Sequence, residues 1–279
     1  FVAPALIILV ILMIYPIYLV IRYSFYDNFL VIPNPQWVGW KNYLQLLKDT
    51  TFYQSFQNTI IFTGCSVALH LIVGLFLAIL LNQPINKKAM AFFRTVLILP
   101  WIFTATVVAV NWQLLLNPLG IVNYILKSLN MISANIEWFG DTRWAMPALI
   151  AVNMWRGYPF VMISILAGLQ SIPESLYEAA KVDGANSRQN FFYITLPQLK
   201  PVLLSIGLLD TIWTFQLFPL VWLTTGGGPG NATDVLATYT YKIAFEQFQF
   251  GTGSAVAVVI LVFTLILTYF YLKQQKATD

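Results

Sequence analysis

Glu178-Ala179-Ala180-Lys181-Val182-Asp183-Gly184-Ala185-Asn186, followed by Ile194-Thr195-Leu196-Pro197, is the stretch on which the reading of this chain turns. It is a long, charge-dense interruption between two strongly apolar segments. Ser171 reads as a helix cap ahead of it. Pro173 falls where a first turn needs no N–H, and Glu174 adds negative charge near the positive helix end. Ser175 to Val182 favour helix, and Gly184 offers a position free to take positive φ and turn the chain. A second helix is expected from Ser187 to Thr195, with Phe191, Phe192 and Ile194 on one side and Arg188, Gln189 and Asn190 on the other. Leu196-Pro197 is expected to stop it. The predicted unit is a helix-turn-helix on the membrane surface whose tip, with Ala179, Ala180, Gly184 and Ala185, is small enough for a partner to approach closely.

Composition sets the surroundings of this unit. Of 279 residues, 58% are hydrophobic and 9% charged, and mean hydropathy is +0.72, which marks a polytopic membrane protein. The net charge of +4 is therefore read as topology, because basic residues collect in cytoplasmic loops. It gives no support to nucleic-acid binding. The single cysteine, Cys65, lies in apolar sequence and has no internal partner for a disulfide.

Spans follow from apolar runs of roughly the 20 residues a bilayer requires. Phe1 already lies inside such a run, which extends to about Val20 and implies a longer native N-terminus. It is too long for a signal-peptide core and reads as the first span. Arg22 to Gln57 reads as a polar, aromatic-rich loop suited to the headgroup level. The second span is placed at Asn58 to Leu81. Its His70 reads as a packed or helix-bonded histidine rather than a proton relay, since no acid accompanies it in that span. Lys87, Lys88 and Arg94 form an acid-free basic turn. A third span, Ala91 to Leu116, is expected to break at Pro100, and Asn117 to Trp144 reads as an outer loop.

The fourth span is Met146 to Gln170, the fifth Pro201 to Thr224, and the last Gly253 to Leu272. Gly226 to Gly230 reads as an outer turn, since no Gly-Lys-Ser/Thr follows to make it a phosphate loop. Six spans with both termini inside place Lys87, Lys88, Arg94, Lys181, Arg188, Lys200, Lys273 and Lys276 in the cytoplasm. Lys41, Lys48, Lys127, Arg143 and Lys242 fall outside.

The spacing Glu178-Ala179-Ala180, three residues, Gly184, nine residues, Ile194-x-Leu196-Pro197 resembles the signature of permease subunits of binding-protein-dependent ABC importers. The flanks are similar to the sugar-importing branch and its larger maltose and trehalose permeases. They include Phe93-Arg94-Thr95, Leu99-Pro100-Trp101, Leu169-Gln170 with Ile172-Pro173, and Thr225-Gly226-Gly227-Gly228-Pro229. The resemblance covers nearly the whole chain. It implies an all-α type I importer permease, one transmembrane domain over residues 1–279 with a coupling loop at 171–200. Glu178, Ala179, Ala180, Gly184, Ile194, Leu196 and Pro197 would then meet an ATPase subunit.

Polar groups at membrane depth mark candidate path residues, because a charge at the centre of a span costs about 2.5–3.5 kcal/mol on insertion scales. Arg156 and Asp210 should face protein, water or each other. Asn153, Trp155, Gly157, Tyr158 and Pro159 surround the first, and Thr211, Trp213, Thr214, Gln216 and Pro219 the second. Two readings stand side by side: an internal Arg156–Asp210 ion pair, or contact with a solute whose C–H faces stack on rings while its hydroxyls are hydrogen-bonded. The resemblance places sugar-contacting positions at Asn153, Arg156, Gly157, Phe160, Asp210, Thr214 and Leu217, although the maltose permease is asparagine-rich in its fifth span.

No nucleophile set, metal spacing or nucleotide loop is visible in the sequence. The implied partners are a second permease subunit, two ATPase subunits that bind ATP and Mg, an extracytoplasmic solute-binding protein, the lipid bilayer and a sugar such as trehalose, maltose or a related glycoside. The implied location is the inner membrane of a prokaryote. A stand-alone secondary transporter or channel is the alternative, but it would call for paired intramembrane acids and an internal repeat, and neither is evident.

Overall fold

The computed structural model describes residues 6, 8–27, 34–83 and 86–276. Helices dominate them, and strand pairing among the described residues is an isolated bridge between Tyr26 and Trp37. In chain order the helices are α1 (Val10–Tyr23), α2 (Lys41–Leu46), α3 (Thr50–Leu81), α4 (Lys87–Ile102), α5 (Ala105–Leu115) and α6 (Ile121–Ser128). They continue with α7 (Thr142–Gln170), α8 (Glu174–Val182), α9 (Ser187–Phe215), α10 (Pro219–Thr224), α11 (Leu236–Tyr241) and α12 (Phe250–Lys276).

Four helices, α3, α7, α9 and α12, are long and apolar enough to cross a bilayer, and the bent pair α4–α5 makes a fifth span if taken as one. The predicted first span appears as the shorter apolar α1, its start at residues 1–5 lying outside the described residues. The protein is a multi-pass membrane protein.

Local signals start the long helices. Asp49 accepts the Thr51 N–H at 2.7 Å and opens α3. Asp141 does the same for Arg143 at 2.9 Å and opens α7, each satisfying a donor that the first turn leaves free. The central pair is α3 against α7, with α9 packed on both. Gly74 of α3 lies where a Cβ would press on Val161 and the Met162 amide of α7, so a small residue sets the close approach.

Three apolar clusters form among the described residues, one of them joining Leu46, Phe52, Phe215, Leu236, Ala255 and Val256. Phe62, Val108, Leu149, Val152, Leu220 and Val221 fill the end of the bundle near α5 and α10. Ala78, Val161, Met162, Ile165, Leu199 and Ile206 fill the end near α8 and the start of α9.

Several expected boundaries are corrected. The third span does not break at Pro100, which stays inside α4. The chain bends by 97° after Ile102, where Phe103 and Thr104 are extended and Thr104 caps α5. The proline removes one hydrogen bond, whereas the extended pair ends the ladder outright. Leu196-Pro197 does not stop the second loop helix, which runs on into the fifth span as one helix from Ser187 to Phe215. A π turn over Phe191–Thr195 carries the Leu196 N–H to the Phe191 carbonyl. Pro197 thus enters at the start of the next α-helical stretch, where it is tolerated.

Ser171 does not cap the loop helix. Its Oγ donates to the Gly168 carbonyl at 2.8 Å, closing the end of α7, and α8 starts from Pro173 with no side-chain cap. The fifth span ends at Phe215, not Thr224, and α10 resumes at Pro219 after an unwound link. The expected loops at 22–57 and 117–144 contain α2 with the first turns of α3, and α6, respectively.

Candidate solute cleft and coupling surface

Asn153, Arg156, Gly157 and Phe160 sit at positions i, i+3, i+4 and i+7 of α7, and Asp210, Trp213 and Thr214 repeat the first three of those positions at the end of α9, with Leu217 in the unwound link just beyond. Such spacing puts the helical side chains of each set on one helix face. The two faces meet, and all seven path positions marked in the sequence line a single cleft with His70, Trp101 and Trp213. The rings of Trp101, Phe160 and Trp213, from three different helices, form one wall, with centroid separations of 5.8 and 5.1 Å. The cleft holds only about 70 Å³, well below the roughly 300–1,000 Å³ of sites that enclose a ligand. The cleft within this chain is too small to enclose a sugar.

Of the two sequence readings, the internal Arg156–Asp210 ion pair is not formed. Asp210 is taken by His70, whose Nδ1 lies 2.7 Å from Oδ2, while His70 Nε2 lies 2.9 Å from the Asn153 carbonyl. His70 was expected to lack an acid because none occurs in its own span, yet its acid comes from another helix, 140 residues along the chain. The Asn153 carbonyl can only accept, so Nε2 carries an N–H. One further proton then lies between Nδ1 and the Asp210 carboxyl, on either atom, because without it two lone pairs would face each other at 2.7 Å. Thr214 adds a long hydrogen bond to the second carboxylate oxygen.

Gly157 has a structural task as well. A Cβ there would overlap the His70 ring, so its absence lets the histidine reach across. The donors beside this pair are left unpartnered. Asn153 is 2% exposed, and its Nδ2 finds no acceptor. Neither does the buried Nε of Arg156, and none of the ion pairs among the described residues includes Arg156.

Sequence reasoning missed His70 and Trp101, because both come from helices other than the two marked. Trp213, already named beside Asp210 from the sequence, lies at i+3 on that face and joins the wall. Among the described residues, no three His, Cys, Asp or Glu side chains stand together as metal ligands.

At the other end, α8 and the first turns of α9 project from the bundle. Val182 is 87% exposed and Tyr193 79%, and Glu178, Ala179 and Gly184 are exposed. Gly184 has φ +79° with open space where a side chain would be. Asn186 and Gln189 form a reciprocal capping box. Tyr177 and Thr195 hydrogen-bond at 2.9 Å and tie the two helices together. Of the remaining marked positions, Ala180, Ile194 and Leu196 are half-buried and Pro197 is exposed.

Long apolar helices around a polar cleft, with a stiff, exposed helical hairpin at one end, are the build of a transport subunit. The chain belongs to the family of binding-protein-dependent transport system inner membrane components, whose profile matches residues 70–277. It is 34% identical to the trehalose/maltose transport system permease protein MalF of Thermococcus litoralis, over 89% of this chain and 82% of that one. It is 35% identical to the sulfoquinovosyl glycerol transport system permease protein SmoG of Agrobacterium fabrum, over 99% of this chain and 89% of that one. In fold it is similar to a chain from the crystal structure of a bacterial ABC transporter involved in the import of the acidic polysaccharide alginate, with a TM-score of 0.84 over 99% of this chain and 94% of that one, at 24% identity.

Proposed function

We propose that this permease forms half of a carbohydrate path through the inner membrane of a prokaryote and is driven by partner ATPases. The hairpin from Glu174 to Thr195 carries the reading: it is exposed, stiffened by its own hydrogen bonds and continuous with a helix that lines the cleft. A push on it would be carried to Asp210 and Thr214 along α9, one helix from Ser187 to Phe215. A second permease subunit would supply the opposite wall, two ATPase subunits would bind ATP and Mg, and a solute-binding protein would deliver substrate from outside. Alternation of the two halves then exposes the midplane site to each side in turn.

Carbohydrate as the substrate class rests on the relatives, whose names span trehalose, maltose, sulfoquinovosyl glycerol and alginate. The ring wall and hydrogen-bonding groups of the cleft suit that class.

The test acts on the hairpin. Glu178→Lys reverses the charge offered to an ATPase, and Gly184→Leu adds bulk at a positive-φ position. Each variant should insert and assemble, yet lose at least about tenfold in uptake, in line with removal of a charge-assisted contact. Wild-type uptake in both would remove this hairpin as the coupling element.

A further inference from the structure

The proton count at His70 has a consequence for the solute. Three titratable side chains line the cleft: His70, Arg156 and Asp210. The His70–Asp210 pair, holding two protons between acceptors at 2.7 and 2.9 Å, is neutral as a unit wherever the shared proton rests. Arg156 is left as an uncompensated cation. Its buried Nε and the Asn153 amide, both without acceptors, are donors that stand ready for oxygens from elsewhere. A neutral sugar hydroxyl would satisfy the amide but leave the guanidinium charge unmatched in a membrane interior. A carboxylate or sulfonate would satisfy the charge and the fork geometry together.

We propose that the solute is an acidic saccharide, with its anionic group received by Arg156 and Asn153 and an adjacent ring packed on the wall of Trp101, Phe160 and Trp213. This rests on the carbohydrate reading above and narrows it. His70 acts as a positioning residue: by neutralising Asp210 it keeps that carboxylate from capturing Arg156 or repelling the anion. Gly157 is what admits the histidine ring to this place.

The experiment uses the complete complex in lipid vesicles, with the second permease, both ATPases and its own solute-binding protein. Uptake and ATPase stimulation are measured for a panel of neutral sugars, lactose and maltose among them, and of acidic ones, a uronate disaccharide and a sulfonated glycoside among them. Acidic probes should be favoured in kcat/KM by at least about tenfold. Arg156→Gln should lower their uptake by roughly 10- to 100-fold, the loss expected for a charge-assisted hydrogen-bonded contact. Arg156→Lys, which keeps the charge without the fork, should retain a larger share. His70→Gln, which leaves Asp210 ionised beside Arg156, should narrow the preference for acidic over neutral probes.

Each comparison between variants uses the same binding protein and probe, so delivery is constant. Neutral sugars transported as well as acidic ones, or acidic uptake unchanged in Arg156→Gln, would overturn the assignment and leave the carbohydrate reading standing. The first of these outcomes is also what an acid from the second permease, already paired with Arg156, would produce. If no saccharide of either class is taken up or stimulates ATPase activity, the carbohydrate reading itself fails and the assignment goes with it. The wild-type panel decides the matter even where a variant does not assemble.

Discussion

Two aspartates are buried among the described residues, and each has a basic partner, but their surroundings differ. Asp234, 0% exposed, accepts from the Thr238 hydroxyl at 2.6 Å, and its Oδ2, without a hydrogen bond, is held by the Lys242 charge at 3.1 Å, all within one short stretch of chain. Asn58 and Thr59 beside it are hydrogen-bonded. Asn58 donates to the carbonyls of Asn231 and Asp234, each at 3.0 Å, and Thr59 accepts the Leu236 amide at 2.8 Å, so the start of α3 clasps the glycine-rich turn. Asp210 is paired by His70 from a distant helix, and the donors next to it are left open. A buried polar group costs free energy unless it is matched. A cluster that closes on itself holds structure together, and one that leaves donors facing a cavity is ready for a ligand. The same residue type thus serves a clasp at one place and a site at the other.

The clasp should be the more sensitive of the two to loss of its cation. Lys242→Met strands a carboxylate that is 1% exposed, and removing one partner of a buried pair costs about 3–5 kcal/mol. The loss should depend on pH with a definite sign. Burial already raises the Asp234 pKa above its usual 3.8, with Thr238 and Lys242 holding it down in part. The folded state therefore favours the protonated acid, and taking the lysine away strengthens that preference. The variant should be weakest above the raised folded pKa and recover as pH falls toward and below 3.8, where the acid is neutral in both states. Thermal unfolding of the purified protein across that range checks it, and a deficit that stays flat with pH would mean that the clasp does not depend on this charge.

Next in size is Gly157→Ala. A methyl there overlaps the His70 ring, so either the ring or α7 must shift, at about 1–3 kcal/mol for overpacking of a tight contact. The same change at Gly184, where a Cβ meets nothing, should cost only the strain of a positive φ, roughly 1 kcal/mol. Equal losses at the two glycines, read from thermal midpoints, would contradict the close His70 contact.

The sequence carried these regions unequally, for a physical reason. The exposed hairpin is built from neighbours in the chain: Gly184 at its turn and Asn186 with Gln189 at its second start are local signals, so its existence and faces could be read directly. The seven path positions were marked by polar groups at membrane depth and by the family resemblance, and six of them fall on two helix faces. The pairing between them could not be read, because His70 reaches Asp210 across 140 residues, and periodicity says nothing about which helix fills the gap between two others. The overrun of Pro197 has the same origin. A π turn depends on how Phe191–Thr195 is packed, and the residue types there favour either outcome.

The smallest expected effect on stability is the most informative about the cleft. Were Arg156 the partner of Asp210, Arg156→Met would strand a buried acid and lower stability by about 3–5 kcal/mol, as in the clasp. With Asp210 already held by His70 at 2.7 Å, removing Arg156 strands nothing and takes away a cation whose placement in a span costs about 2.5–3.5 kcal/mol on insertion scales. Methionine keeps most of the apolar stem and adapts to the space. The change in stability should therefore lie within about 1 kcal/mol of zero, on the stabilising side, while uptake falls. Measured on the same preparation, thermal midpoint and uptake per assembled complex then separate: a large drop in both would return Arg156 to a packing role beside Asp210, and an unchanged midpoint with lost uptake assigns its charge to the solute.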